Sequence, residues 1–265
     1  MGPEVAGLMY HEVTDDPKTS GFQRPGALPY TLDRAAFAAH MDAIAGGRLQ
    51  PELVSDLDLT SNNGNGKHRH LLLTFDDGGA SAMYVAEELA RRAWKAHFFI
   101  ITARLGERTF LKPADVRELR NAGHVVGTHS HTHPDIFRGL PREVMATEWR
   151  VSRAIVESLL GEPCVAASVP GGDISPLVLE SAAHAGMRYL FTSEPLVRPE
   201  RVADTWILGR AIVKAGVSPA TIRQLVAFRG WRRAQLIRRL GSIARTLFPP
   251  LYARYVRLRT RERPS

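Results

Sequence analysis

A single cysteine, Cys164, in a chain of 265 residues excludes an internal disulfide and any thiolate-rich zinc site. A metal would have to be held by His, Asp or Glu, and Cys164 reads as a small buried hydrophobe. Long apolar runs are also missing. The stretches at 71–73 and 98–101 fall far short of the roughly 20 residues that cross a bilayer. No positive start followed by an apolar core and a small-residue cleavage site occurs near residues 1–10, so the expected location is cytoplasmic. Acidic side chains are scarce at one end: residues 229–265 hold eleven Arg and one Glu, a net of +10. The chain as a whole carries +8, so everything before the tail sums to −2. A nucleic-acid-binding domain would carry its basic face on the globular part, and an excess confined to the tail argues against that class.

What is present is a 44% hydrophobic composition, enough for a sizeable core. Short apolar runs near 5–10, 71–75, 96–101, 124–128, 164–169, 188–192 and 206–213 read as strands. Helical patterns fall between them, near 33–45, 80–93, 113–122, 141–160, 175–185 and 218–228. Pro113 fits a first helical position, and Gly123 and Gly186 fit helix ends. This alternation predicts an α/β fold, either a parallel barrel or a doubly wound sheet. Two stretches interrupt it. Residues 12–31 form a long connection that either covers a site or makes a disordered excursion, and residues 61–67 read as a polar surface loop.

The run Leu71-Leu-Leu-Thr-Phe-Asp76-Asp77-Gly78-Gly79 takes an apolar strand straight into two adjacent carboxylates. Neighbouring side chains of a strand point to opposite faces, so a turn must bring Asp76 and Asp77 to one centre, and the glycine pair permits it. Two carboxylates forced together repel unless a cation or a proton lies between them. A plain Asp-Gly turn or helix cap would use the same residues. The second cluster, His124-Val-Val-Gly-Thr-His129-Ser-His131-Thr-His133, again ends a short apolar strand, here in three histidines. Two imidazoles and a carboxylate make a metal site with open positions for water and substrate, although a His-rich polar loop is the simpler alternative.

Thr74-Phe-Asp-Asp-Gly78 resembles the first motif of the polysaccharide deacetylases with the NodB-homology fold, and His129-Ser-His-Thr-His133 resembles their second. The resemblance covers about residues 5–215 and implies an incomplete parallel (β/α) barrel of about seven strands. It implies that Asp77, His129 and His133 hold a divalent metal, usually zinc, with cobalt, manganese or nickel as alternatives, and that Asp76 is the general base. The implied reaction is removal of acetyl groups from an N-acetylated saccharide, whether polymeric, oligomeric or lipid-linked, as in exopolysaccharide biosynthesis. Other amide hydrolases on this fold, a deformylase or a cyclic-amide hydrolase, are the alternative, with a non-catalytic carbohydrate-binding module as a third reading.

The chain departs from the family pattern twice. Where the third motif has an Arg, this sequence has Ser168-Val-Pro170-Gly-Gly172, as a branch of the family does; Pro170 and Gly171 would let backbone amides approach a substrate. Where the last motif supplies a His as general acid, Trp206-Ile-Leu-Gly-Arg210-Ala-Ile-Val213 has none. His11 and His131 are the candidates for the acid. Arg210 either takes over the missing Arg's task on Asp76 or forms an ordinary salt bridge, and Asp204 and Trp206 are candidates for lining the sugar site. The remaining histidines, at 40, 68, 70, 97, 124 and 184, read as packing or surface residues.

The chain thus divides into a deacetylase-like domain, 1–228, and a basic tail, 229–265. Leu236, Leu240, Ile243 and Leu247 fall at helical spacing among the arginines. With Trp231, Phe248, Tyr252 and Tyr255, such a helix suits peripheral contact with the inner face of a membrane; packing of its apolar stripe on the barrel is the competing expectation.

Overall fold

The computed structural model describes residues 2–60, 69–172, 174–247 and 249–260. The polar loop expected at 61–67 and His68 lie outside them. Each of the seven apolar runs becomes a parallel strand: β1 (Glu4–Tyr10), β4 (Arg69–Phe75), β5 (His97–Ile100), β6 (Val125–Thr128), β7 (Ala166–Ser168), β8 (Tyr189–Phe191), and a last run split into β10 (Thr205–Leu208) and β11 (Arg210–Ile212). The order is β11-β1-β4-β5-β6-β7-β8-β10-β9, with only the edge strand β9 (Glu200–Val202) antiparallel.

The last run decides the topology. Its first half pairs with β8 and its second half with β1, so one bent strand connects the two edges of the sheet. The ring is incomplete because backbone from 194–197 enters this seam: Arg210 N donates to Glu194 O at 2.9 Å and Val5 N to Val197 O at 2.6 Å. Gly209 sits at the bend, where a Cβ would lie 2.4 Å from Leu196 O.

Period-two alternation sorts the strands' side chains. Leu71, Leu73 and Phe75 join the outer core beneath the helices, whereas Leu72 packs inside with Val5, Phe99, Phe191 and Leu208. Val54, Leu57 and Leu59 close that inner cluster. His97 secures the closure, since its Nδ1 bonds Leu73 O at 2.9 Å and its Nε2 accepts from Val54 N at 2.9 Å. It is a packing histidine, like His40 and His124.

Outside lie α1 (Arg34–Ala45), α2 (Ala82–Ala90), α3 (Pro113–Asn121), α4 (Arg142–Leu160), α5 (Pro176–His184) and α6 (Pro219–Val226). Local chemistry sets their ends. Asp33, Ser175 and Ser218 cap α1, α5 and α6, proline opens α3, α5 and α6, and Gly161 closes α4 at φ 69°.

Two features go beyond the sequence expectation. The long connection is pinned at its base by β2 (Glu12–Val13) pairing with β3 (Thr31–Leu32), strands too short to leave a periodic signature. It folds over the C-terminal ends of the barrel strands and is not a disordered excursion. The tail forms α7 (Trp231–Leu247) and α8 (Pro249–Thr260). Trp231 is buried and its Nε1 donates to Leu225 O at 2.9 Å. Leu236, which the sequence places in an apolar stripe suited either to a membrane or to packing on the barrel, is exposed and does not pack on the barrel. The side chains of Leu240, Ile243, Leu247 and Tyr255, and residue Phe248, lie outside the described residues.

Candidate active site

Asp76 extends β4 by one residue, its N–H bonded to Tyr10 O at 3.0 Å, so its side chain points to the barrel interior like Leu72 and Thr74. Asp77 then adopts φ 75° and Gly78 φ 73°, and this left-handed turn carries the second carboxylate to the same centre. The end of β6 is similar: Ser130 has φ 66° and His133 φ 55°. Of six non-glycine residues with positive φ among those described, three stand in these two turns. Each such residue costs about 1–3 kcal/mol, so the surrounding contacts must hold the shape.

Glu148 on α4 supplies such contacts for the histidine turn. Its buried carboxylate accepts from His131 N at 2.9 Å, Thr132 N at 2.8 Å and Thr132 Oγ1 at 2.7 Å. His133 N donates to Ser130 Oγ at 3.1 Å. His129 bonds Ser168 O through Nδ1 at 3.0 Å, which leaves the Nε2 lone pair facing Asp77 Oδ1 at 3.4 Å. His133 Nε2 lies 3.7 Å from the same oxygen. The ligand atoms of Asp77, His129 and His133 all fall within 4.8 Å of one another.

These residues fit a divalent cation. Burial, then Asp76, then Glu12 push the Asp77 carboxyl well above its ordinary range. Burial pushes the His133 imidazole well below its own, and His129 and Arg24 push the same way. A negative ligand that resists ionising and neutral rings that resist protonation lack a positive charge between them, which a bound cation supplies.

Asp76 is held differently. Arg210 is fully buried and forms a fork on it, with Nη1 to Oδ1 at 2.7 Å and Nη2 to Oδ2 at 2.9 Å. Ser168 Oγ donates to Oδ2 at 2.9 Å and accepts from Arg210 Nη2 at 2.7 Å. Arg210 also reaches Thr74 Oγ1 and Thr192 O at 3.0 Å each. Burial raises the Asp76 carboxyl, but the Arg210 charge, helped by His129, the Arg210 hydrogen bonds and His11, overcomes it and leaves the group below the usual carboxylate range. Gly7 of β1 makes room for this arginine, since a Cβ there would lie 2.9 Å from its Cγ.

His11 follows β1 and lines the same pocket with Asp76, Asp77, His129 and His133. Its Nδ1 is buried with no hydrogen-bond partner among the described residues, and its ring packs on Tyr30 at 4.6 Å. The covering loop brings Phe22, Arg24 and Tyr30 to the rim, with Arg24 bonded to Asp135 at 2.7 Å. Glu12 ties that loop down, accepting from Gly21 N at 3.1 Å and from Ser81 Oγ at 2.6 Å. Arg238 of α7 completes the rim; it bonds Glu194 Oε1 at 2.8 Å and donates to Gly172 O.

Four of the residues singled out in the sequence take other places. His131 turns away and bonds Thr102 Oγ1 at 2.9 Å, because the left-handed Ser130 aims alternate residues to opposite sides. Pro170 is buried behind the wall, whose lining here is Val169, Gly171 and Gly172. Trp206 lies on β10 among Gly2, Pro3 and Leu59, at the opposite end of the barrel, where it cannot reach a sugar in this pocket. Asp204 is exposed beside Arg201. Conversely, Glu148, Glu12, Arg24 and Arg238 were not singled out. Each comes from a helix or loop distant in sequence, and none stands in a local pattern of potential ligands.

The polysaccharide deacetylase family profile matches residues 63–190, which include both ligand turns. Over that stretch, just under half of its length, the chain is similar to the polysaccharide deacetylases. Among its relatives is the peptidoglycan-N-acetylglucosamine deacetylase PgdA of Listeria monocytogenes, 32% identical over 34% of this chain and 19% of that one. Another is the chitooligosaccharide deacetylase of Sinorhizobium fredii, 34% identical over 43% of this chain and 53% of that one. The chain therefore spans about a fifth of the length of the first and half of the second. In fold it is similar to the Streptococcus pyogenes deacetylase PplD, solved in complex with acetate: TM-score 0.67 and 19% identity over 85% of this chain and 99% of that one. The family's deacetylases are generally metal-dependent, and the Asp77, His129 and His133 cluster is where this chain could hold the ion.

Proposed function

We propose that the chain is a metal-dependent deacetylase of N-acetylated amino sugars. The observation that carries this reading is the convergence of three ligand atoms within 4.8 Å beside a carboxylate that Arg210 keeps ionised. Two imidazoles and one carboxylate suit zinc. When bound, the ion lowers the pKa of a coordinated water and polarises the acetamide carbonyl.

This chain's residues supply the rest. Asp76, fixed by Arg210 and Ser168, accepts the proton of the attacking water at a carboxylate oxygen. Backbone of Gly171 and Gly172 lines the wall and allows close approach of the acetyl group. His11 serves as the proton donor to the leaving amine. Burial, opposed by Asp76 and aided by His129, Arg210 and Lys214, lowers its imidazole to about 4. The ring is therefore neutral when substrate enters; at Nδ1 it takes over from Asp76 the one proton that the attacking water gave up, and passes it to the amine, which leaves Asp76 ionised again. Acetate and a free amino sugar result. The cytoplasmic location expected from the sequence remains part of this proposal.

Incubation of the protein with a panel of N-acetylated oligosaccharides, with zinc, cobalt or manganese and with chelator, tests it by mass spectrometry. Acetate release that chelator stops and metal restores is expected. No acetate with any metal would overturn the proposal, and formate or a ring-opened amide would move it to another amide substrate on the same fold.

A further inference from the structure

Five large hydrophobic side chains are strongly exposed among the described residues, and four of them adjoin the pocket mouth in sequence. Leu28, 43% exposed, follows Ala27 of the covering loop; Leu236 and Ile237, 60% and 63% exposed, precede Arg238; Leu258, 60% exposed, stands two residues before Thr260. Ala27, Arg238 and Thr260 all line the pocket. Around these apolar groups α7 presents exposed Arg232, Arg233 and Arg239, and α8 presents exposed Arg254 and Arg257.

The way α7 is docked explains the exposure. Trp231 plugs its start into the barrel's outer core and Arg238 fastens it to Glu194 and Gly172 O. A polar anchor thus holds the helix across the site, and Leu236 and Ile237 face outward. Exposed leucine and isoleucine between arginines match a surface that is negative outside and apolar beneath. Residues 229–265 contain a single acidic residue, Glu262, to oppose that match.

We propose that the rim formed by α7, α8 and the tip of the covering loop docks on an anionic lipid bilayer, so that the pocket mouth faces the headgroups. The arginines supply the attraction to anionic headgroups, while Leu236, Ile237, Leu258 and Leu28 enter the headgroup boundary. No helix among the described residues is long and apolar enough to cross a membrane, and the contact is peripheral. The consequence for catalysis, that a saccharide held at the bilayer surface reaches the pocket, rests on the deacetylase reading above.

Flotation of the full chain with vesicles tests the docking without requiring turnover. The wild type should float with vesicles of equal phosphatidylglycerol and phosphatidylcholine at low salt, stay down with phosphatidylcholine alone, and lose about tenfold of its binding at high salt. The variant Leu236→Ser/Ile237→Ser should bind the mixed vesicles about tenfold less, with unchanged melting temperature and unchanged acetate release from a soluble N-acetylated oligosaccharide. A wild type that ignores mixed vesicles, or that floats equally with neutral ones, overturns the proposal and leaves the patch to a protein partner. A variant that floats as well as wild type also overturns it. Flotation without acetate release from any substrate would sink the deacetylase reading while the docking stands.

Discussion

The site has two halves of different origin. The ligand half, Asp77, His129 and His133, comes from two contiguous turns at the ends of β4 and β6, each a short string of residues that carries its own glycine or left-handed bend. The seam half, Arg210 and His11, comes from the last barrel strand and the first, and Arg210 stands 134 residues from the carboxylate it grips. In the ligand half local sequence dictates geometry. At the seam only closure of the barrel does, because β11 and β1 become neighbours when the sheet curls. A guanidinium is therefore not tied to one motif; it needs a buried path to Asp76, which Gly7 and the small Ser168 leave open.

The largest effect should follow from Asp76→Asn, the residue where the halves meet. The amide keeps the shape and removes the base, so turnover should fall by about two to four orders of magnitude while metal content stays near wild type. Retention of more than about a tenth of the activity would show that another group takes the proton. Next comes Arg210→Met, which strands a buried carboxylate and should cost about 3–5 kcal/mol of folding stability. Combining it with Asp76→Asn should recover much of that loss in a denaturant titration, because no charge then remains unpaired. If the double variant is as unstable as Arg210→Met alone, Arg210 stabilises the barrel by packing and not by its charge.

This contrast also explains what could be read from the sequence. The barrel strands and the six surrounding helices follow apolar runs and caps, which are local signals, and so do Asp76, Asp77, His129 and His133. The role of Arg210 was one of two open alternatives, since nothing along 206–213 says that β11 would lie against β1. Trp206 is a reasonable sugar-binding residue by type, yet it sits on the strand end remote from the pocket. His131 shares a five-residue string with two ligands, and only the φ of Ser130 separates it from them. Residues 12–31 gave no periodicity because they are held by side chains such as Glu12, not by a regular ladder.

Within the seam, His11→Gln sharpens the comparison. Glutamine has similar reach but no titratable proton, and its effect should be confined to proton delivery, with kcat lower by about a hundredfold and metal affinity unchanged. A wild-type kcat would leave Asp76 to return the proton itself. Loss of metal from this variant would join His11 to the ligand half and break the division.

The smallest effect, and the cleanest separation of the halves, is expected at Glu148. This carboxylate touches no substrate and lies behind the ligand turn, where its two oxygens accept three hydrogen bonds from His131 and Thr132. Glutamine keeps one acceptor and turns an amide NH2 toward backbone N–H or hydroxyl donors, so the left-handed His133 loses part of the support that offsets its strain. Metal affinity should weaken by about 10–100-fold, read by competition with a chromophoric chelator. At saturating metal, kcat should return close to wild type, because Asp76, Arg210 and His11 are undisturbed. Arg210→Met should show the reverse pattern, with unaltered metal affinity and impaired turnover. If Glu148→Gln instead lowers kcat at saturating metal as far as Asp76→Asn does, the ligand turn and the base are one mechanical unit and the two halves are not separable.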